Sequence, residues 1–419
     1  MGRLAKKSWV GGGCKEGHEV LMESRYYSKK LKRHFSKRLD FLIYAHDGRG
    51  LGHASRSIAI GLALRRLFPQ CKTLFVSGCK QAAALIGHGA LDWIKLPSYA
   101  TTIVKGRAEG GYGDANFYKS VLGQLRTEML ASIMKIFQPR IVLVDHAPTG
   151  KRNELVRALE VSRDADTRWV LGLRGIIGDD KDVWSAESIQ CFKNHYDLIL
   201  WYGDTQVMGT DYPNMIAQRF DFKPVETGYV SRLMESKHLM ASEKDTLAGT
   251  ISIPWGTEAT WKFVKKIYHA IKGIGESQGP WRLFVEQEKK EMIQDLFRDL
   301  PFCTVDEVSE RYIPSLVKSK MAMVYAGYNS MSDILASRIP AVVLLRDLKD
   351  REQQTHLDRL LPFIKEHVTV LTESSTDTPT LQQALENKLR APTWHHEILN
   401  INGAELAALA VAAGIACEE

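Results

Sequence analysis

Residues 41–60 read FLIYAHDGRGLGHASRSIAI, and the side chain there best fitted to proton transfer is His53. It follows Gly48, Gly50 and Gly52, between an apolar run (Phe41 to Ala45) and the helical pattern Ile58, Ile60, Leu62, Leu64, Leu67. Glycines let a backbone approach a ligand closely, because they tolerate positive φ and carry no side chain. A helix starting at Ala54 or Ser55 would aim unpaired N–H groups at whatever sits beyond its first turn. With a near-neutral intrinsic pKa, His53 could accept a proton from an attacking hydroxyl, or donate to a phosphate oxygen on a leaving group; a helix-capping role is the plain alternative. Arg49 and Arg56 flank the loop, as clamps for an anion or as surface charges. Asp145 and His146 close the apolar run IVLVD, where they are an acceptor-site base or a bystander pair.

A second glycine site lies in VYAGYNSMSDILASRIPAVVLLRDLKDREQQTHLDRL, residues 324–360. An apolar run ends at Gly327, and Asn329 and Ser330 open a helical pattern, an arrangement suited to a diphosphate at a helix N-terminus. Asp333, one turn in, could accept from ribose hydroxyls. Arg346, Glu352, Gln353 and Gln354 follow the next strand, at the sheet edge where ligands of open α/β sheets collect. A carboxylate with two amides is a hydrogen-bonding set for sugar hydroxyls.

These residues need a scaffold of strands that deliver them to one edge. The runs 41–45, 73–77, 141–145, 169–173 and 198–202 predict strands, with helical patterns such as 54–67 and 151–161 between them. A second alternation gives strands at 250–254, 282–286, 321–326 and 341–345, and helices at 258–274, 288–298, 331–337, 352–365 and 403–416. Such repetition predicts parallel sheets covered on both faces. The glycine-rich stretch 98–117 predicts a long surface loop, and 222–232 a hinge. The division expected is a basic extension 1–39, a first domain 40–228, a second domain 229–395, and a terminal helix 396–419 packing back on the first domain.

Composition sets the outer limits. At 419 residues, 44% apolar and 25% charged, the chain is of ordinary soluble composition and long enough for two cores. Residues 1–39 carry 11 Lys and Arg against 3 Glu, so the tail holds +8 of a whole-chain +7 and the rest carries −1. The tail segment YYSKKLKRHFSKR reads first as a solvated, disordered lead-in; the alternative is contact with a phosphate-rich partner, an anionic lipid surface and hence peripheral membrane contact rather than nucleic acid. Six scattered cysteines without a C-x-x-C pair fit a reducing cytoplasm, with Cys71 and Cys79 as packing residues. The run GDDKD (178–182) reads as solvated carboxylates, and no metal site is expected. Trp255 and Trp281 read as core or cleft wall.

The 324–360 block resembles the donor-binding segment of the family 28 glycosyltransferases, through A-G-x-N-S, an acidic residue one turn on, R-x-P-A-V and E-Q. GRGLGHASR (48–56), LPSYATTIVKG (96–106), VDHAPTG (144–150), LGLRGI (171–176) and ETGYVSR (226–232) are similar to a MurG-like branch of that family. The resemblance implies the α/β GT-B architecture, two Rossmann-like domains facing a cleft, over about residues 40–390. It implies a metal-independent hexosyltransferase without cofactor, taking a nucleoside-diphosphate sugar, UDP favoured, and an acceptor hydroxyl on a glycan, lipid or small molecule. Gly327, Asn329 and Ser330 would then face the diphosphate, Asp333 the ribose, and Glu352, Gln353 and Gln354 the sugar, with His53 and Asp145 catalytic and Gly50 and Gly52 at the cleft. Three departures stand out: SIPWGTEAT (252–260) has only Gly256 where a glycine-rich loop is usual, His356 replaces an Arg, and Gly175 replaces an Asp. Nucleotide-sugar hydrolases and 2-epimerases share this architecture and form the alternative; a non-catalytic protein binding through its basic tail is the second.

Overall fold

The computed structural model describes residues 38–46, 51–99, 101–104, 107–110, 116–178, 180–236, 247–253, 256–346, 351–394 and 399–416. Nearly all of the basic extension, Gly48, Arg49, Gly50 and Trp255 therefore lie outside the described residues. The first domain supplies strands β1 (Phe41–Ala45), β2 (Thr73–Ser77), β3 (Asp92–Lys95), β4 (Thr101–Val104), β5 (Arg107–Gly110), β6 (Ile141–Asp145), β7 (Arg168–Arg174), β8 (Leu198–Tyr202) and β9 (Val225–Glu226). The second supplies β10 (Leu247–Ile253), β11 (Trp281–Val285), β12 (Cys303–Glu307), β13 (Ser319–Tyr325), β14 (Ala341–Leu345) and β15 (Val368–Thr372). The helices that matter below are α1 (Gly52–Leu67), α2 (Lys119–Phe137), α3 (Glu258–Ile274), α4 (Tyr328–Ser337), α5 (Glu352–Ile364), α6 (Thr378–Arg390) and α7 (Gly403–Ala416).

Two parallel sheets result, ordered β3-β2-β1-β6-β7-β8-β9 and β12-β11-β10-β13-β14-β15. Residues of β1, β2, β6, β8 and β14 are buried throughout, which is why those segments read as unbroken apolar runs. In each sheet the strand order reverses beside its first strand, between β1 and β6 and between β10 and β13. These reversals open a crevice at the strands' C-terminal ends.

The stretch 98–117 differs from expectation. Instead of an irregular loop it contains an antiparallel hairpin, with Thr101 opposite Gly110 and Val104 opposite Arg107. Residues 111–115 lie outside the described set.

The stretch expected as a hinge, 222–232, is bonded to the segment that precedes the last helix. Tyr229 N–H donates to Asn400 C=O at 2.7 Å, and Val230 bridges Asn402. Helix α7 then packs on α1, where Glu405 accepts from Arg66 at 2.9 Å. Trp281 is fully buried in the second core. Burial raises the thiols of Cys71 to about 12 and Cys191 to about 11, as befits packing residues. No helix among the described residues is long and apolar enough to cross a membrane.

Candidate active site

His53 stands in the first turn of α1, at the crevice beside the reversal between β1 and β6. Asp145 is the last residue of β6. The two meet: His53 Nδ1 lies 2.6 Å from Asp145 Oδ2. Arg56, one turn further along α1, grips the same carboxylate from two nitrogens, Nε to Oδ1 at 2.7 Å and Nη2 to Oδ2 at 2.9 Å. Arg56 Nη2 also approaches His53 Nδ1 at 2.9 Å. One ring nitrogen cannot donate to the carboxylate and accept from the guanidinium together, so the shorter contact assigns Nδ1–H as donor to Asp145. The lone pair then resides on Nε2.

Burial depresses the His53 pKa well below its ordinary value, and Arg56, His146 and Arg174 add to the effect by repulsion. The imidazole is neutral at pH 7 and ready to take a proton. His46 and His146 gather round it, with ring centroids 3.9 Å and 5.3 Å away. Burial lowers both of their pKa values. His146 takes a left-handed backbone conformation, φ 74°, rare for a residue with a side chain and a form of strain found at functional sites. Its Nε2 lies 2.7 Å from Asp180 Oδ2, and its Nδ1 is buried without a partner among the described residues. Asp180 belongs to the run GDDKD, so the solvated reading of that carboxylate is corrected: it is engaged with a site histidine. Its hydrogen bond to His146 and attraction to Arg174 hold it below the usual carboxylate range, against its own desolvation.

The second domain reaches the same place. Gly327 follows β13 and opens α4, and no side chain caps that helix. Its first-turn N–H groups are therefore open to a ligand. Asn329 meets the first domain at Gly52, where a methyl group would sit 2.6 Å from Asn329 Nδ2. A side chain at position 52 would have to push that amide aside. Asn329 Oδ1 is buried without a partner among the described residues, while Ser330 is half-buried beside it. Helix α5 brings Glu352 to Arg174 at the end of β7, an ion pair of 2.9 Å between the domains. Gln353 Oε1 is a buried acceptor without a partner among the described residues.

Three residues predicted at the donor site are engaged with other side chains. Asp333 is buried, accepts from Ser231 Oγ at 2.7 Å, and is raised by burial to about 6. That contact joins it to the segment after Tyr229. Arg346 is buried against the Tyr325 ring, 3.5 Å from its centroid, with Glu373 at 3.8 Å. Gln354 is exposed and donates along its own helix to Asp358 at 2.6 Å.

The departures have physical reasons. Thr257 and Thr260 cap α3 reciprocally, occupying amides that a glycine-rich loop would leave open. His356 Nε2 pairs with the Tyr229 hydroxyl at 2.9 Å inside the hinge. At Gly175 a methyl would lie 3.0 Å from Tyr202 C=O and 3.4 Å from the Tyr328 ring, tighter than ordinary packing, so any side chain there needs its neighbours to shift. Arg174 and His46 carried no signal in the sequence beyond following a strand.

Two parallel sheets with facing reversal points define the GT-B fold. No protein-family model matches the sequence, and no curated protein matches it. Among solved structures the chain is similar to UDP-GlcNAc 2-epimerase from Methanocaldococcus jannaschii, at 8% identity and TM-score 0.56, over 90% of this chain and 100% of that one. The Neisseria meningitidis UDP-GlcNAc 2-epimerase bound to UDP-GlcNAc superimposes at 12% identity and TM-score 0.53, over 90% and 100%. MurG of Acinetobacter baumannii follows at 12% identity and TM-score 0.46, over 88% and 94%, too loose a fit to carry weight.

Proposed function

We propose that this protein is a nucleotide-sugar glycosyltransferase of the MurG-like kind, moving a hexosyl group from a nucleoside-diphosphate sugar, UDP favoured, to an acceptor hydroxyl. The observation that carries the reading is the pairing across the crevice of a neutral, Asp-held imidazole with an uncapped helix start. The open amides of α4, with Asn329 and Ser330, receive the diphosphate. Gln353 and Glu352 hydrogen-bond the sugar, Glu352 exchanging its Arg174 partner for a hydroxyl. The acceptor oxygen attacks the anomeric carbon and gives its proton to His53 Nε2, while Asp145 holds the ring. The bond from that carbon to the diphosphate breaks, and the leaving group's added charge falls on the α4 amides.

The crowd of imidazoles favours a second reading on the same fold. Epimerisation beside the anomeric carbon needs one group to remove a proton from carbon and another to return one, and His46, His53 and His146 supply more proton carriers than displacement requires. Calorimetry with UDP, GDP, dTDP and ADP sugars tests the common ground. Saturable binding of one class is expected, with about 2.7 kcal/mol of added stability at one hundred times Kd. Absence of binding by all four overturns both readings. Incubation of the bound donor in D2O separates them: deuterium entering the sugar without acceptor means epimerisation, and a donor that stays unlabelled and is consumed only when an acceptor hydroxyl is added means transfer.

A further inference from the structure

A second cavity lies at the far end of α1. Arg65 and Arg66 stand roughly 20 Å along that helix from His53, at 1.5 Å per residue. The cavity encloses about 750 Å³ between the domains, a volume typical of small-molecule sites. The last turns of α1 and the loop 84–90 form one wall, residues 310–318 and the start of β11 another, and the segment after the hinge lies between them.

Its charge is one-sided: six Lys and Arg line it against Glu235 and Glu310. Glu235 is engaged with Arg66 at 2.9 Å. Arg65 is turned to the backbone carbonyls of Pro69, Cys71 and Ala90. Arg232 is different. It is 8% exposed, its Nη1 donates to Leu85 C=O at 2.6 Å, and its Nε is buried without a partner among the described residues. No carboxylate among the described residues lies within ion-pair distance of it; Asp333 acts on it only from further away. A buried guanidinium without a counter-ion is costly, and an anion from solution would supply the missing partner. Arg282, 3.4 Å from Asp306 and bonded to Ser315 Oγ, and half-buried Lys318 complete a cationic face. Leu62, Ile86 and Ile313 add apolar lining.

We propose that this cavity binds a phosphorylated organic molecule of about mononucleotide size, phosphate on Arg232, Arg282 and Lys318, and body against the apolar side chains. Both domains contribute walls, so the ligand ties them together at a distance from the His53 crevice. The inference does not depend on the function proposed above.

Phenyl phosphate carries both features and serves as the probe, titrated into the full chain by calorimetry. It should bind one to one, more tightly than inorganic phosphate. Lys318→Gln and Arg282→Gln should each weaken it about tenfold or more, the scale of a lost charged hydrogen bond, with melting temperatures kept. Ser330→Trp, which obstructs the α4 amides, should leave the affinity unchanged. Three results would overturn the proposal: no saturable binding at millimolar probe, equal affinity in both cavity variants, or binding abolished by Ser330→Trp.

Discussion

His53 is useful as a base only while neutral, and its neighbours keep it so. Proton transfer by such a group contributes about a hundredfold to ten-thousandfold, so His53→Ala should lower turnover within that range and leave donor affinity intact. Steady-state rates beside calorimetric affinities check this, and equal turnover would reduce His53 to a structural residue. Arg56 helps to depress the His53 pKa. Its removal raises that pKa, so the acid limb of the rate profile in Arg56→Gln should move to higher pH. The same change leaves Asp145 buried without its ion pair, at a cost of about 3–5 kcal/mol in a denaturant titration. At this scale the sequence was legible where chemistry follows a strand end, as at His53 and Asp145, each noticed alone. What joins them is spatial. Arg56 shows its part only once α1 lies over β6, and Asp180 reaches His146 across 34 residues of chain. No spacing rule carries such a contact.

The elements decide what may approach what. Helix α4 begins without a side-chain cap, and its first turn faces α1 across Gly52. In Gly52→Ala the methyl must displace the Asn329 amide, the far end of a movable side chain. Donor affinity should fall about tenfold, equivalent to about 1.4 kcal/mol, while the melting temperature changes little. Ser330→Trp should abolish donor binding in the same assay, and retained binding would place the diphosphate elsewhere. Central strands such as β1, β6 and β14 were readable because burial on both faces demands continuous apolar runs. The edge strands β3 and β12 carry exposed and half-exposed residues, Asp92 and Lys95 among them, and gave no such run. Hairpin β4–β5 hid in a glycine-rich stretch because its pairing depends on its own two strands and on neither sheet.

At the scale of the whole molecule, acid should act through the hinge. Burial lowers the His356 pKa to about 4, against about 6.5 unfolded. The neutral ring belongs to the fold, so its contribution is complete above pH 6.5 and is lost as pH falls towards 4, by about 3 kcal/mol. His146, also buried and lowered, acts in the same direction. Urea midpoints should therefore drop between pH 7 and pH 5, and His356→Phe should flatten that slope; an unaltered slope would exclude the hinge histidine. The two-domain plan was legible from the repeated alternation of runs. The path of the hinge was not, because its hydrogen-bonding partners arrive more than 170 residues later. Asn400 and Asn402 leave the ribosome after both sheets have emerged, so the nascent chain has its sheets complete before it has the segment that holds Tyr229 and Val230. Translation thus imposes an order on assembly: the contact that pins residues 229–230 is made last.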